Sequence, residues 1–337
     1  MKDVANVAHL STATVARVLH GQGFVSEKSR KRVLEAIEKT GYRLNTLAQS
    51  LRRNQTKTIG HLLTSISPNL FFAGVELGVE NEAIKNGYSV LIWNDFEDPK
   101  RERLGVETFI QRQVDAIIFT TPIEPQNVYA AIEAGIPVVQ VERPTEVKSH
   151  AVIVDNYTGS TLAVEHLIGL GHQCIGFIGG DPRAFLTSPS VDEQRLAGYR
   201  DTMIKNGIMP KEEWLAFGKY YSLEDGYRIM EQFLKLGDIT AVFATCDILA
   251  AGALQAIYQH NLRVPEDVSL VGFDNTYAPY LSPPLTTVEQ PMFEIGITAA
   301  RIAIEASIKK SDFPGTLKVE SLATRLKVRA STSALSF

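Results

Sequence analysis

The sequence predicts an all-α helix-turn-helix head, joined by a short helical link to an α/β body of two doubly wound parallel-sheet subdomains. Three observations carry this expectation. Residues 1–58 hold eleven Lys/Arg against four Asp/Glu, so a head of +7 precedes a body of −11 within a net charge of −4. The first forty or so residues show three short helical patterns separated by tight breaks. From residue 58 onward, apolar runs alternate with helical stretches in two successive series, the pattern of parallel sheets covered on both faces.

The head comes first. Val4, Ala5, Val7 and Ala8 mark one helix, and His9-Leu10-Ser11 breaks it. A second helix runs from Thr12 to Leu19 with Val15, Val18 and Leu19 apolar. Ser26 is placed to cap a third, which carries Val33, Leu34 and Ile37 inside and Lys28, Arg30, Lys31 and Arg32 outside, and ends near Gly41. Helix, tight turn, helix and supporting helix is the helix-turn-helix plan. Its second helix opens on "STATVAR". Ser11 can cap that helix, whose free N–H groups suit a phosphate. Thr12, Ala13 and Thr14 are small enough to approach base edges, and Arg17 can reach guanine or a phosphate. With Ser26 at the third helix, these form the candidate DNA-binding set of the head. A basic head on an acidic body fits a polyanion partner for the head and a different ligand for the body.

The link reads "LNTLAQSLRRNQTKT", with Leu44, Leu47, Ala48 and Leu51 on one helical face. A helix this short is marginal in water, so its leucines need another surface.

In the body, strands are expected at Thr58–Ser65, Ser89–Asn94, Ala116–Thr120, Val138–Glu142 and Ala151–Asp155, then at Ile175–Gly179, Trp214–Phe217, Ala241–Thr245 and Val268–Phe273. Helices are expected at Phe72–Asn86, Tyr157–Leu170, Glu193–Asn206, Leu223–Leu236 and Ile248–Asn261. Ligands of open parallel sheets bind beyond the carboxyl ends of the strands. There the sequence collects "SPNLFF", Glu142-Arg143, Asp155-Asn156, Cys246-Asp247 and Asp274-Asn275, the few polar groups in an apolar wall that a small polar ligand needs.

Other classes find no footing. A nucleophile elbow, a P-loop, an H-E-x-x-H and a full G-x-G-x-x-G are absent from the sequence, so no enzyme, catalytic residue, metal or cofactor is expected. "GFIGGD" lacks dinucleotide spacing, and His172 precedes its strand at the edge away from the cleft, which suits a structural role. Cys174 and Cys246 have no metal spacing and read as free thiols. There is no run of 18 apolar residues and no basic-then-apolar start, so a cytoplasmic protein without membrane contact is expected. The alternative is a stand-alone sugar-binding receptor of a transport system, which would need export and would not need residues 1–58.

The stretches "DVANVAHLSTATVARVLHG", "VSEKSRKRVLEAIEKTGYRLNTLAQSLR" and "TIGHLL" resemble the lactose-repressor-type (LacI/GalR) bacterial transcription regulators, and the resemblance runs from Lys2 to the C-terminal "TRLKVRAST". It implies a repressor with a DNA-binding domain at 1–43, a hinge helix and linker at 44–57, and an effector-binding and dimerisation domain at 58–337. That domain would resemble periplasmic binding proteins, with one subdomain at about 58–156 and 288–314 and another at about 157–287 and 315–337. In the hinge helix, Ala48 and Leu47 would meet a partner helix, Leu51 would wedge into a base step from the minor groove, and Asn45 and Arg52-Arg53 would approach phosphates. The effector set implied is Phe71 and Phe72 against a ligand ring, Glu142 and Arg143, Arg195, Tyr221, Asp247, Asp274 and Gln290. The ligand expected is a monosaccharide, and operator DNA and a second copy of the chain are the other partners. The tail "RASTSALSF" has no heptad run, which favours a dimer over a tetramer.

The sequence departs from the family at three places. His9 stands where glycine is usual in the turn, so either it accepts positive φ or the turn shifts. Cys246 stands where Asn is common before the acid. Only Met1-Lys2 precede "DVA", so either the first helix is uncapped, at about 1 kcal/mol, or the natural start lies upstream.

Overall fold

The structure, a computed structural model, describes residues 1–20, 23–42, 55–65, 69–180, 190–219, 221–308 and 316–335. The chain divides into two units, Met1–Thr56 and Lys57–Phe337.

In the first unit the helices are α1 (Lys2–Ala8), α2 (Thr12–His20) and α3 (Glu27–Thr40). Val4, Ala5, Ala8, Val15, Val18, Val33 and Ala36 form their core. Leu34, expected inside, is 56% exposed. It lies one residue past Val33, about 100° around the helix, and an interior this narrow admits only the Val33/Ala36 stripe. The turn after α1 does not shift. His9 takes φ 50 and ψ 47, and the amide of Leu10 reaches back to Ala5 O at 3.0 Å. Met1 stands at the N-cap of α1 without a side-chain hydrogen bond. Ser26 Oγ accepts from Ser29 N to cap α3, and Gly41, at φ 59, ends it.

The second unit opens with β1 (Thr58–Leu63), α4 (Leu70–Lys85), β2 (Ser89–Asn94), α5 (Pro99–Gln111), β3 (Ala116–Thr120), α6 (Pro125–Glu133), β4 (Val138–Val141) and β5 (His150–Val154). It continues with α7 (Asn156–Gly169), β6 (Ile175–Gly180), α8 (Val191–Lys205), β7 (Leu215–Gly218), α9 (Leu223–Leu236), β8 (Ala241–Ala244), α10 (Asp247–Gln259) and β9 (Ser269–Asp274). The chain closes with β10 (Thr286–Glu289), α11 (Met292–Ile308), β11 (Val319–Leu322) and β12 (Arg325–Lys327).

The first sheet has the order β11-β5-β4-β3-β1-β2 and the second β12-β10-β9-β8-β6-β7. All pairings are parallel except that of β10 with β12. Strand residues alternate between two cores, as the pleat requires. In the first sheet Ala116 and Ile118 face α4 and α11, while Ile117 and Phe119 face Val106 and Phe109 of α5. In the second sheet Val242 and Ala244 join the core of α9 and α10, and Phe177, Phe243 and Phe273 join that of α7 and α8.

The expected subdomain limits are corrected at the two returns. The first return was placed at 288, but β10 pairs with β9 through Glu289, so the chain leaves the second sheet at Gln290. The second was placed at 315, but β11 pairs with β5 through Leu322, so the chain comes back only at 323–324. Strands of three or four residues carry too little pattern to locate such crossings. The helices α4 and α11 pack backbone to backbone. A Cβ on Gly78 would lie 2.2 Å from Phe293 O, and one on Gly296 2.0 Å from Val75 O.

Candidate functional site

Two sites emerge, one on each unit. On the head, the start of α2 is exposed. Thr12, Ala13 and Arg17 face solvent and Thr14 is half-buried. Ser11 Oγ accepts from Thr14 N at 3.1 Å and lies 2.9 Å from Thr14 Oγ1. The result is a small-residue helix start with an uncovered arginine one turn on, a surface shaped for a groove. The expected contacts Asn45, Ala48 and Leu51 lie outside the described residues.

On the body, the groups at the carboxyl ends of the strands converge from both sheets. Arg195, on α8, is 3% exposed. Its Nε donates to Asn156 Oδ1 at 2.9 Å and its Nη1 to Thr245 O at 2.7 Å. Its guanidinium lies 3.8 Å from the Phe273 ring centroid. Nη2 lies 3.6 Å from Glu142 Oε1, across the cleft on the first subdomain. Beside it Arg143 donates to Tyr221 Oη at 3.0 Å and lies 3.7 Å from Asp192 Oδ2, and Tyr221 Oη donates to Asp192 Oδ1. Two arginines and two acids therefore bridge the subdomains. On the far side Gln290 Nε2 donates to Asp274 Oδ1 at 2.7 Å. Glu142 and Asp274 both hold left-handed backbone, at φ 68 and φ 101. Non-glycine residues adopt that region at a cost, which an enclosing site can sustain.

The electrostatics follow from burial. Desolvation pushes the Asp274 carboxyl up to about 7, against the pull of Arg195. Desolvation also raises Glu142, opposed by Arg195 and Arg143. It lifts the Tyr221 hydroxyl well above its ordinary range, so Tyr221 is a neutral donor to Asp192. Four buried atoms have no hydrogen-bond partner among the described residues: Glu142 Oε2, Asp192 Oδ2, Gln290 Oε1 and Thr245 Oγ1. Three of them can only accept a proton and the fourth can do either. Buried acceptors left this way are costly unless a ligand meets them.

The other expected residues divide. Phe71 is buried in the core of the first subdomain, and Phe72, half-buried, meets it edge to face at 5.5 Å. Asp247 is fully enclosed. It accepts from Thr276 N at 2.6 Å, Thr287 Oγ1 at 2.6 Å and Ala278 N at 3.2 Å. Its oxygens are thus spent on fastening the loop after β9, which leaves Asp274 positioned and Asp247 itself with little to offer a ligand. Cys246 is buried at the N-cap of α10 and makes no side-chain capping bond. His172 is buried at the opposite edge, bonded to Thr240, Ser269 and Ser333. Asp192, Asn156 and Thr245 join the cluster although the sequence reading did not select them. For Asp192, the first turn of α8 three residues before Arg195 was the available signal, since i and i+3 share a helix face.

Comparison with known proteins now bears on both units. Residues 1–45 match the family described as bacterial regulatory proteins, lacI family, and residues 164–332 match the periplasmic binding protein-like domain. The ribose operon repressor of Haemophilus influenzae is 33% identical over 93% of this chain and 92% of its own. The chain belongs to the lacI family of bacterial regulatory proteins. This lacI-family regulator is also 35% identical to the HTH-type transcriptional repressor PurR of Klebsiella pneumoniae, over 95% of this chain and 93% of that one. Its structure aligns with the lac repressor dimer bound to operator and the anti-inducer ONPF at a TM-score of 0.84, with 28% identity and 98% of each chain covered. It is a DNA-binding repressor, not an enzyme, and an effector bound in the body controls its hold on operator DNA. A transport receptor would have no use for a DNA-binding head, and that alternative falls.

Proposed function

We propose that this lacI-family regulator is a cytoplasmic homodimeric repressor whose effector is a neutral monosaccharide, seated among Glu142, Asp192, Arg195, Asp274 and Gln290. One observation carries the reading: buried, partnerless acceptors surround two arginines that are already matched by acids. A sugar supplies what this arrangement lacks. Its hydroxyls donate to the carboxylates and accept from the guanidinium groups, whereas a phosphate would add charge beside Glu142, Asp192 and Asp274. The name of the ribose operon repressor points the same way.

The dimer reading is supported by an apolar stripe on α4. Leu70, Leu77 and Ile84 recur at i, i+7 and i+14 and are 41%, 60% and 65% exposed, a seam suited to the same seam on a second copy. In the dimer the two heads read two operator half-sites, with Ser11, Thr12, Ala13, Thr14 and Arg17 at the groove and Ser26 at the backbone. Residues 44–57 form the hinge, ordered where two copies meet on DNA. Sugar binding closes the cleft, rotates one subdomain against the other and changes the separation of the heads.

Thermal-shift titration of the full chain against pentoses, hexoses, polyols, sugar phosphates and purine bases tests the effector reading. A neutral sugar should raise the melting temperature and change operator affinity by one common coupling factor. Stabilisation by a purine or a sugar phosphate alone would overturn it. Sedimentation of the free protein as a monomer at micromolar concentration would overturn the dimer.

A further inference from the structure

We propose that the cleft continues, past Glu142 and Arg143, into a second subsite that takes an uncharged hydroxylated unit joined to the first ring, making the full effector a glycoside or disaccharide. The inference rests on reading the cleft as a sugar site. A cavity of about 720 Å³ opens there, walled by Gln126, Glu142 and Arg143 from the first subdomain and by Asn156, Val191 and Gln194 from the second. Of the cluster described above it shares Glu142, Arg143 and Asn156. Arg195, Asp274 and Gln290 do not line it. It is therefore a neighbour of the Asp274 site, reached through Glu142 and Arg143.

Its size and walls select the occupant. A single sugar ring seated at Asp274 leaves this volume unused, and spaces of about 300–1,000 Å³ hold ligands larger than one ring. Gln126 and Gln194 each offer both donor and acceptor groups, the pairing that a row of hydroxyls needs. Pro125, Pro144 and Val191 supply apolar wall for the C–H face of a ring. The charged groups of the wall are Glu124, Glu142 and Glu146 against Arg143, and Arg143 is already engaged by Tyr221 and Asp192. A phosphate or carboxylate there would meet three acids and one committed cation, so the second unit is neutral. Because the walls come from both subdomains, the second unit is gripped only when the cleft closes, and it adds to the same closing motion as the first.

The test is calorimetric titration of the full chain with free pentoses and hexoses, their methyl glycosides, neutral disaccharides and sugar phosphates. Wild type is compared with Gln126→Ala, Gln194→Ala and the double variant. The expected result is a glycoside or disaccharide that binds about tenfold or more tightly than its free parent sugar. In the double variant that advantage falls close to unity, while the free sugar keeps its wild-type affinity within about twofold. A free sugar that binds while every glycoside and disaccharide binds no better overturns the subsite and leaves the monosaccharide reading standing. An advantage that survives the double variant overturns its location. A phosphate that outbinds its neutral parent overturns the uncharged assignment. Binding by no saccharide at all overturns the sugar reading and the subsite with it.

Discussion

Gln290 donates its side-chain amide to Asp274 Oδ1 at 2.7 Å, and its backbone amide lies 3.3 Å from Asp274 O. The residue at a subdomain crossing thus holds the acid at the candidate effector site twice. A ligand that draws on Asp274 pulls on the crossing itself.

Proton release on effector binding follows. Burial holds the Asp274 carboxyl near 7, with Arg195, Asp247 and Glu142 as its charged neighbours, and only the ionised form accepts a hydroxyl proton through both oxygens. Below about pH 7 the free site is protonated, so binding expels a proton and apparent affinity falls as pH drops, by at most tenfold per unit. Above it the affinity levels off. Titrations at pH 6 in buffers of differing ionisation enthalpy should register the released proton, and Asp274→Asn should abolish it. Stability runs the opposite way. The folded carboxyl titrates above its unfolded value, so the folded state holds the proton longer and stability declines as pH rises from about 4 to about 7.

Arg195→Lys should uncouple effector from operator. Lysine keeps the charge but cannot serve Asn156, Thr245 O and Glu142 at once from a fixed fork. Effector affinity should fall by about tenfold or more, with operator affinity in the absence of effector unchanged. An unaltered effector response in a fluorescence-anisotropy titration would show that the cluster is not the binding site.

Leu51→Ala should separate the functions from the other end. If the leucine wedges a base step, operator affinity drops by about ten- to a hundredfold while calorimetric effector binding is retained. Equal loss of both would assign Leu51 to packing.

Gly296→Ala should destabilise the body without touching either site. The added methyl would stand 2.0 Å from Val75 O, and relieving it means spreading α4 from α11. The overpacking is worth about 1–3 kcal/mol, visible as a melting temperature lower by several degrees. Leu77→Ala, on the exposed side of α4, should leave thermal stability of the dissociated chain intact.

The strands were legible because parallel strands buried on both faces are written as continuous apolar runs, and β2, β3 and α9 fall where the sequence places them. The helices α5 and α6 were not singled out. Half of each faces water, and their charged faces blur the apolar period. The site was legible only in part for a geometric reason. Arg195 and Asp274 each announce themselves as polar groups beside apolar stretches, but Asp192 gains its meaning from Tyr221, Arg143 and the closing of one subdomain on another. Asp247 shows the converse: the right residue type at the right strand end, yet its oxygens are consumed by Thr276, Ala278 and Thr287. Sequence reveals the candidates, and hydrogen-bond saturation decides among them.

The chain passes between the subdomains at Asp155, at Gln290 and at 323–324. These passages run side by side, since Asp155 N bonds to Leu322 O and Glu289 pairs with Arg325. Three adjacent strands make a strap. A strap folds readily along one line and resists shear and twist, so the body behaves as a device with a single soft mode. The few kcal/mol available from a small ligand are then delivered as one directed rotation, and none is dissipated in motions that the DNA-reading heads cannot sense.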